Sequence, residues 1–261
     1  MNGFFAAFWA ESLKIRRSKM FWMITLSFSF ISVMMGVLMF IAKYPELAQN
    51  FGLLGTKSSL LQIETNWPTY LGFLYMGIAM GGSLGFGFVT SWVFGREYSD
   101  HTIKDLLALP ISRLTIVLVK FLAIFVWCFF LSFLTLFLGL VFGSMIGLTG
   151  GTTEVISNGI YTFIGTSVLT ILLCMPVAFF ASYGRGYLLP MGYVILTMVI
   201  TQFVGLLGFA PYFPWSIPVL FSGVDGTDST QLGIISYAIL ALTSGLGVVT
   251  TSIQWNFADQ Y

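Results

Sequence analysis

Charge is scarce in this chain. Asp, Glu, Lys and Arg make up 8% of its 261 residues, where a soluble domain carries about a quarter. With 57% hydrophobic residues, 17% aromatic residues and a mean hydropathy of +0.92, the composition excludes a soluble protein and leaves too little polar sequence for a separate soluble domain. The net charge of +1 offers no footprint for nucleic acid. Only two cysteines occur, Cys128 and Cys174, both inside apolar runs, so neither a disulfide framework nor a metal site is expected, and they read as small packing residues. His101 is the one histidine, and it falls in a polar loop, outside the spans where an intramembrane serine protease would need its base. A phosphate loop is missing too. Gly52-Leu53-Leu54-Gly55-Thr56-Lys57-Ser58 lacks the G-x-x-x-x-G-K-[ST] spacing, because Thr56 separates Gly55 from Lys57. The residues therefore point away from an enzyme.

What is present is hydrophobic length. A bilayer core needs about 20 apolar residues per helix, and runs of that size lie near 20–42, 70–94, 121–147, 160–182, 187–209 and 232–252. An all-α integral membrane protein with six transmembrane helices follows, organised as an N-terminal element over 1–19 and a six-span domain over 20–261. The first run is too long for the core of a cleaved signal. Lys14, Arg16, Arg17, Lys19, Arg96, Lys104, Arg113, Lys120 and Arg185 fall on one side of these spans, and only Lys43 and Lys57 on the other. The positive-inside rule then puts both termini in the cytoplasm of a multi-pass cell-membrane protein. Residues 1–19 read as an interfacial amphipathic helix, with Phe5, Phe8, Trp9 and Leu13 on one face and Glu11, Lys14, Arg16 and Arg17 off it; a plain anchoring flank is the simpler alternative.

The spans themselves are read as free of ionisable groups, with every acid outside them and Lys120 snorkelling at the cytoplasmic end of the third. That disfavours a proton- or sodium-driven transporter. Gly77, Gly81 and Gly85 repeat at intervals of four in the second span, and Gly139, Gly143 and Gly147 do so in the third. Such stripes allow close helix packing, or else a surface that slides.

Charge concentrates instead in the loop between the second and third spans, from Gly95 to Lys120. There Ser99 or Asp100 is placed to cap a short helix that Pro110 ends. Ile103, Leu106 and Leu107 form its apolar face, while Lys104 and Asp105 point away. Ser112 is placed to cap the next helix, whose Arg113 and Lys120 share a face. A loop that only fixes topology is the plainer reading. Mixed charge and a proline-terminated amphipathic helix are more structure than topology requires.

Glu97, Thr102, Leu106-Leu107, Pro110-Ile111-Ser112-Arg113 and Lys120 together resemble the cytoplasmic signature of the type-2 ABC transporter permease family. In size and six-span plan the chain is similar to permease subunits of bacterial bacitracin- and lantibiotic-protection exporters. The resemblance implies that Asp100–Leu109 forms a coupling helix docking on a separate ABC ATPase subunit, with Glu97, Asp100, His101, Thr102, Lys104, Asp105, Leu106, Pro110 and Arg113 as the docking element. Glu97 would tie this helix to the N-terminal helix through Arg16 or Arg17. ATP and Mg would be bound by that partner, with no cofactor in this chain, and a second permease copy or homologue would complete the pathway as a dimer. Where this chain has His101, the family often has glycine. Pro211, Phe213, Pro214, Trp215 and Pro218, before the last span, would form an external gate; an aromatic belt at the interface is the alternative. The function expected is export of an amphipathic peptide, antibiotic or lipid-like cargo. The alternative is a non-transporting membrane scaffold or assembly factor that binds a cytoplasmic partner through the 95–120 loop.

Overall fold

A computed structural model describes residues 3–44, 64–103, 106, 110–223 and 232–257. Among these residues the protein is all-α. Six helical stretches are long and apolar enough to cross a membrane: Lys19–Lys43, Trp67–Ser99, Arg113–Ile146, Thr153–Tyr183, Leu188–Leu206 and Ile234–Phe257. A further helix, α1 (Gly3–Arg17), precedes them. The spans are α2 (Lys19–Lys43), then α3 (Trp67–Met76) and α4 (Gly82–Ser99), then α5 (Arg113–Ile146), α6 (Thr153–Leu173) and α7 (Met175–Tyr183), α8 (Leu188–Leu206) and, after a short α9 (Ile217–Ser222), α10 (Ile234–Phe257).

Local chemistry sets where these helices begin. Ser18, Asn66, Ser112 and Thr152 are extended residues whose side-chain oxygens accept the amides of Phe21, Thr69, Thr115 and Val155, each relieving one of the free donors of a first turn. Two spans are interrupted. The second passes through a π-helical segment at Gly77–Gly81, and the fourth breaks at Cys174, where Pro176 sits in the first turn of α7 and cannot donate to the preceding helix.

The third and fourth spans are the most enclosed, while the fifth shows most of its surface. Along the third span lies the first: Ser32 donates to the carbonyl of Thr135 at 3.0 Å, and Lys43 Nζ donates to the carbonyls of Ile146 (2.7 Å) and Gly147 (2.6 Å). Gly77, Gly81 and Gly85 of the second span receive that same first helix. A Cβ at Gly77 or Gly81 would sit 3.3–3.4 Å from Ile31, and one at Gly85 would enter the ring of Phe28. Gly139 and Gly143 accommodate Leu74 and Trp67 in the same way. Gly147 departs from the stripe reading. It is the left-handed C-cap of α5 at φ 69°, a conformation glycine adopts without a Cβ clash.

Helix α5 has 34 residues, about 50 Å at 1.5 Å per residue, and the second span is of similar length. Both overrun a hydrocarbon core of about 30 Å. The charged residues at their ends are therefore carried on continuous helix rather than on a loop.

Candidate functional site

Arg96 and Glu97 belong to the last turn of α4, and Lys120 lies two turns into α5; all three are buried, as is Glu11 of α1. Lys120, 1% exposed, is the centre. Its ammonium donates to Glu97 Oε1 at 2.8 Å, to Glu11 Oε1 at 3.1 Å and to the carbonyl of Val93 at 3.2 Å. Three donors on three acceptors is the full capacity of a lysine. Arg96 donates to the same Glu11 Oε1, approaches Glu97 with Nε at 3.5 Å and lies 4.4 Å over the ring of Trp92. Lys14 reaches Glu97 from the surface at 3.3 Å. Two carboxylates and three cations thus lock α1, α4 and α5 together.

The loop is attached to the same cluster. Thr102 Oγ1 donates to Glu97 Oε2 at 2.6 Å. Its amide reaches the carbonyl of Glu97 at 3.0 Å, and the amide of His101 reaches Tyr98 at 3.3 Å. This pair of bonds is a Schellman closure, with His101 at the left-handed position, φ 54°. A glycine preference at that position follows from the geometry, and His101 occupies it under mild backbone strain. Beyond it, the Leu106 amide bonds the carbonyl of Thr102 at 3.1 Å, and Leu106 and Ile111 face Ala10 and Lys14 of α1 across a cavity of about 250 Å³.

Several expectations are corrected here. The ends of the spans are not free of ionisable groups: Arg96, Glu97 and Lys120 lie within the long helices, and Lys120 does not snorkel to water. Ser99 closes α4 and Asp100 is its C-cap, so neither begins the next helix. The tie from Glu97 to α1 runs through Lys14 directly and through Lys120 to Glu11; Arg16 and Arg17 are exposed and outside it. On α1, Glu11 and Ile15 turn into the protein, while Phe5 and Trp9 are exposed. Arg113 and Lys120 serve different partners, since Arg113 Nη1 donates to the carbonyls of Trp255 (3.2 Å) and Asn256 (3.1 Å) at the end of α10. Pro110 is exposed just before Ser112. Lys104, Asp105, Leu107 and the segment 52–58 lie outside the described residues.

At the opposite end, Pro211 stands in one 3-10 turn (Ala210–Tyr212), and Pro214 and Trp215 in a second (Pro214–Ser216). Pro218 is in the first turn of α9. Trp215 packs edge-on to Tyr193 of α8 at 5.7 Å and lies 5.4 Å from Phe213. Between these turns, the end of α8 and the π segment is a cavity of about 530 Å³ whose polar lining is Thr201, Gln202 and Ser216. The Ser216 hydroxyl has no hydrogen-bond partner among the described residues.

Six apolar helices and an ion cluster at one end define a multi-pass membrane protein with a charged device outside the apolar core. Residues 7–205 match the family model described as ABC-2 family transporter protein, and the chain belongs to that family. It is a transporter permease, a class whose members are non-enzymatic membrane subunits that work in general with an ABC ATPase. It is also similar to the bacitracin transport permease protein BCRB of Bacillus licheniformis, 27% identical over 219 residues, which span 84% of this chain and 97% of that protein. No solved structure matches it.

The sequence singled out Glu97, Thr102, Glu11 and Lys14 but did not bring them together. Arg96 and the burial of Lys120 were missed. The available signal was Trp92 one helical turn before Arg96, a spacing at which ring and guanidinium meet.

Proposed function

We propose that this chain is the membrane-spanning subunit of a bacterial ABC exporter, with both termini cytoplasmic. Two copies, or this chain and a homologue, enclose the pathway, and separate ATPase subunits that bind ATP and Mg dock on the segment between α4 and α5. The cargo class is an amphipathic peptide antibiotic or lipid-like molecule. Its support is the similarity to a bacitracin transport permease and the apolar character of the spans.

The observation that carries the reading is the ion cluster. Closure of an ATPase dimer against the loop would load Thr102, which is hydrogen-bonded to Glu97; Glu97 is in turn fixed to Lys120 on the third span and Lys14 on α1. A push on the loop therefore moves three helices together, because no member can shift without leaving a buried charge unpaired. The experiment is co-expression with an adjacently encoded ATPase, purification of the complex, and ATPase assay with and without a bacitracin-type peptide. Cargo is expected to stimulate hydrolysis, and Glu97→Gln to reduce that stimulation roughly tenfold while the complex still purifies. Intact stimulation in Glu97→Gln would show that the cluster does not transmit the stroke.

A further inference from the structure

A second cavity, of about 410 Å³, lies on the other flank of α1 from the loop, between α1, the start of α2 and the middle of α5. That volume is in the range of small-molecule sites, about 300–1,000 Å³. Its walls are apolar, with Ile15, Phe21, Val126 and Phe130 prominent, and it has one cation, Arg16. Phe21 roofs it by stacking on Phe130 at 6.1 Å and tilting over Trp127 at 5.8 Å.

Two groups in this wall lack partners. Trp127 is 3% exposed, and its indole N–H has no acceptor among the described residues. A buried donor left without an acceptor costs about 1–3 kcal/mol. Arg16 forms no hydrogen bond or ion pair among the described residues, and neither do its exposed neighbours Arg17 and Lys19. The nearest acid in sequence, Glu11, is already committed to Arg96 and Lys120. The mouth of an apolar groove thus carries uncompensated positive charge.

We propose that this groove is a binding site for one anionic phospholipid, which wedges α1 against α5. One acyl chain lies along Ile15, Phe21, Val126 and Phe130, and the phosphate pairs with the Arg16 guanidinium. A zwitterionic lipid fits the groove but not the charge, because its ammonium would meet Arg16, Arg17 and Lys19. An inorganic phosphate fits the charge but not the groove.

The test uses the purified full-length chain in detergent, titrated with phosphatidylglycerol or phosphatidylcholine brominated on one acyl chain, with tryptophan emission as the readout. The expected result is saturable quenching by the brominated phosphatidylglycerol at a concentration about tenfold lower than by the phosphatidylcholine. Trp127→Phe should diminish the saturable component, the remainder coming from Trp22 and Trp92 nearby. Arg16→Gln should abolish the preference between the two lipids, and Lys19→Gln should retain it. Val126→Phe, on the half-exposed rim, should block the groove without touching Arg16, which keeps the proposal testable should Arg16→Gln fold poorly. Equal quenching by the two lipids, or an unchanged preference in Arg16→Gln, would identify ordinary annular lipid and overturn the site. Displacement of the lipid by sodium phosphate at matched ionic strength would overturn it as well, leaving a bare anion site.

Discussion

Lys120 shows how a single side chain can be misread from sequence and still be decisive. In the chain it is one cation at the start of a long apolar run, where snorkelling is the usual outcome. In the fold its ammonium is enclosed by Glu97, Glu11 and the carbonyl of Val93. Burying such charges costs several kcal/mol per ion, so the cluster's worth lies in holding geometry rather than in net stability. Lys120→Met leaves both carboxylates short of a partner and is expected to destabilise the protein by about 3–5 kcal/mol, read as a fall in the thermal transition in detergent. The double variant Lys120→Met/Glu97→Leu keeps Glu11 on Arg96 and should recover most of that loss. If the double variant is as unstable as the sum of the singles, the two residues do not act as a pair. Neither partner of this pairing was visible locally, because 23 and 109 residues separate Lys120 from Glu97 and Glu11. Only the third dimension places them within 3.1 Å.

For whole elements, the apolar runs announced six helices, since uninterrupted hydrophobic length has few other uses. Their ends were less legible. A charge such as Arg96 or Glu97 looks like the end of a span, yet the helix continues through both because neighbouring helices supply their partners. The π segment at Gly77–Gly81 left no trace beyond glycine density. Glycine was informative about packing but not about which glycine matters, and two in α10 make the distinction testable. A Cβ at Gly247 would lie 2.5 Å from the backbone nitrogen of Pro176, whereas Gly245 faces open space. Gly247→Ala forces α10 away from α7 and should cost about 1–3 kcal/mol. Gly245→Ala removes only backbone freedom and should be neutral or stabilising by up to about 1 kcal/mol. Thermal shifts of the two variants, measured side by side, should have opposite signs or at least differ by that sum.

Over the whole molecule, the ion cluster sits in the last turn of the long second span while the cavity beside the π segment and the end of α8 lies toward the other side of it, so orientation decides which is nearer the cytoplasm. Single cysteines at Ser99 and Thr153, both exposed, in a Cys128→Ala/Cys174→Ala background, provide the measurement. A membrane-impermeant maleimide should reach Thr153→Cys in intact cells and Ser99→Cys only after permeabilisation. Labelling of both from one side would reverse or discard the proposed topology. The family assignment rests on residues 7–205, so the last span enters the architecture through its own contacts, among them Trp255 Nε1 donating to Ser182 at 2.9 Å and Arg113 at its C-terminal carbonyls.

The spacing of the ion cluster along the chain also sets an order of biosynthesis. Glu11 leaves the ribosome 109 residues ahead of Lys120, an interval of roughly 5–20 s at ordinary translation speeds. During that interval the first two spans are made without their lock, and Glu11 gains Arg96 as a partner before Lys120. Insertion of the third span supplies the missing ammonium and closes the cluster in one step. A nascent chain halted before residue 120 is therefore an unfastened intermediate, its Glu97 without the Lys120 ammonium.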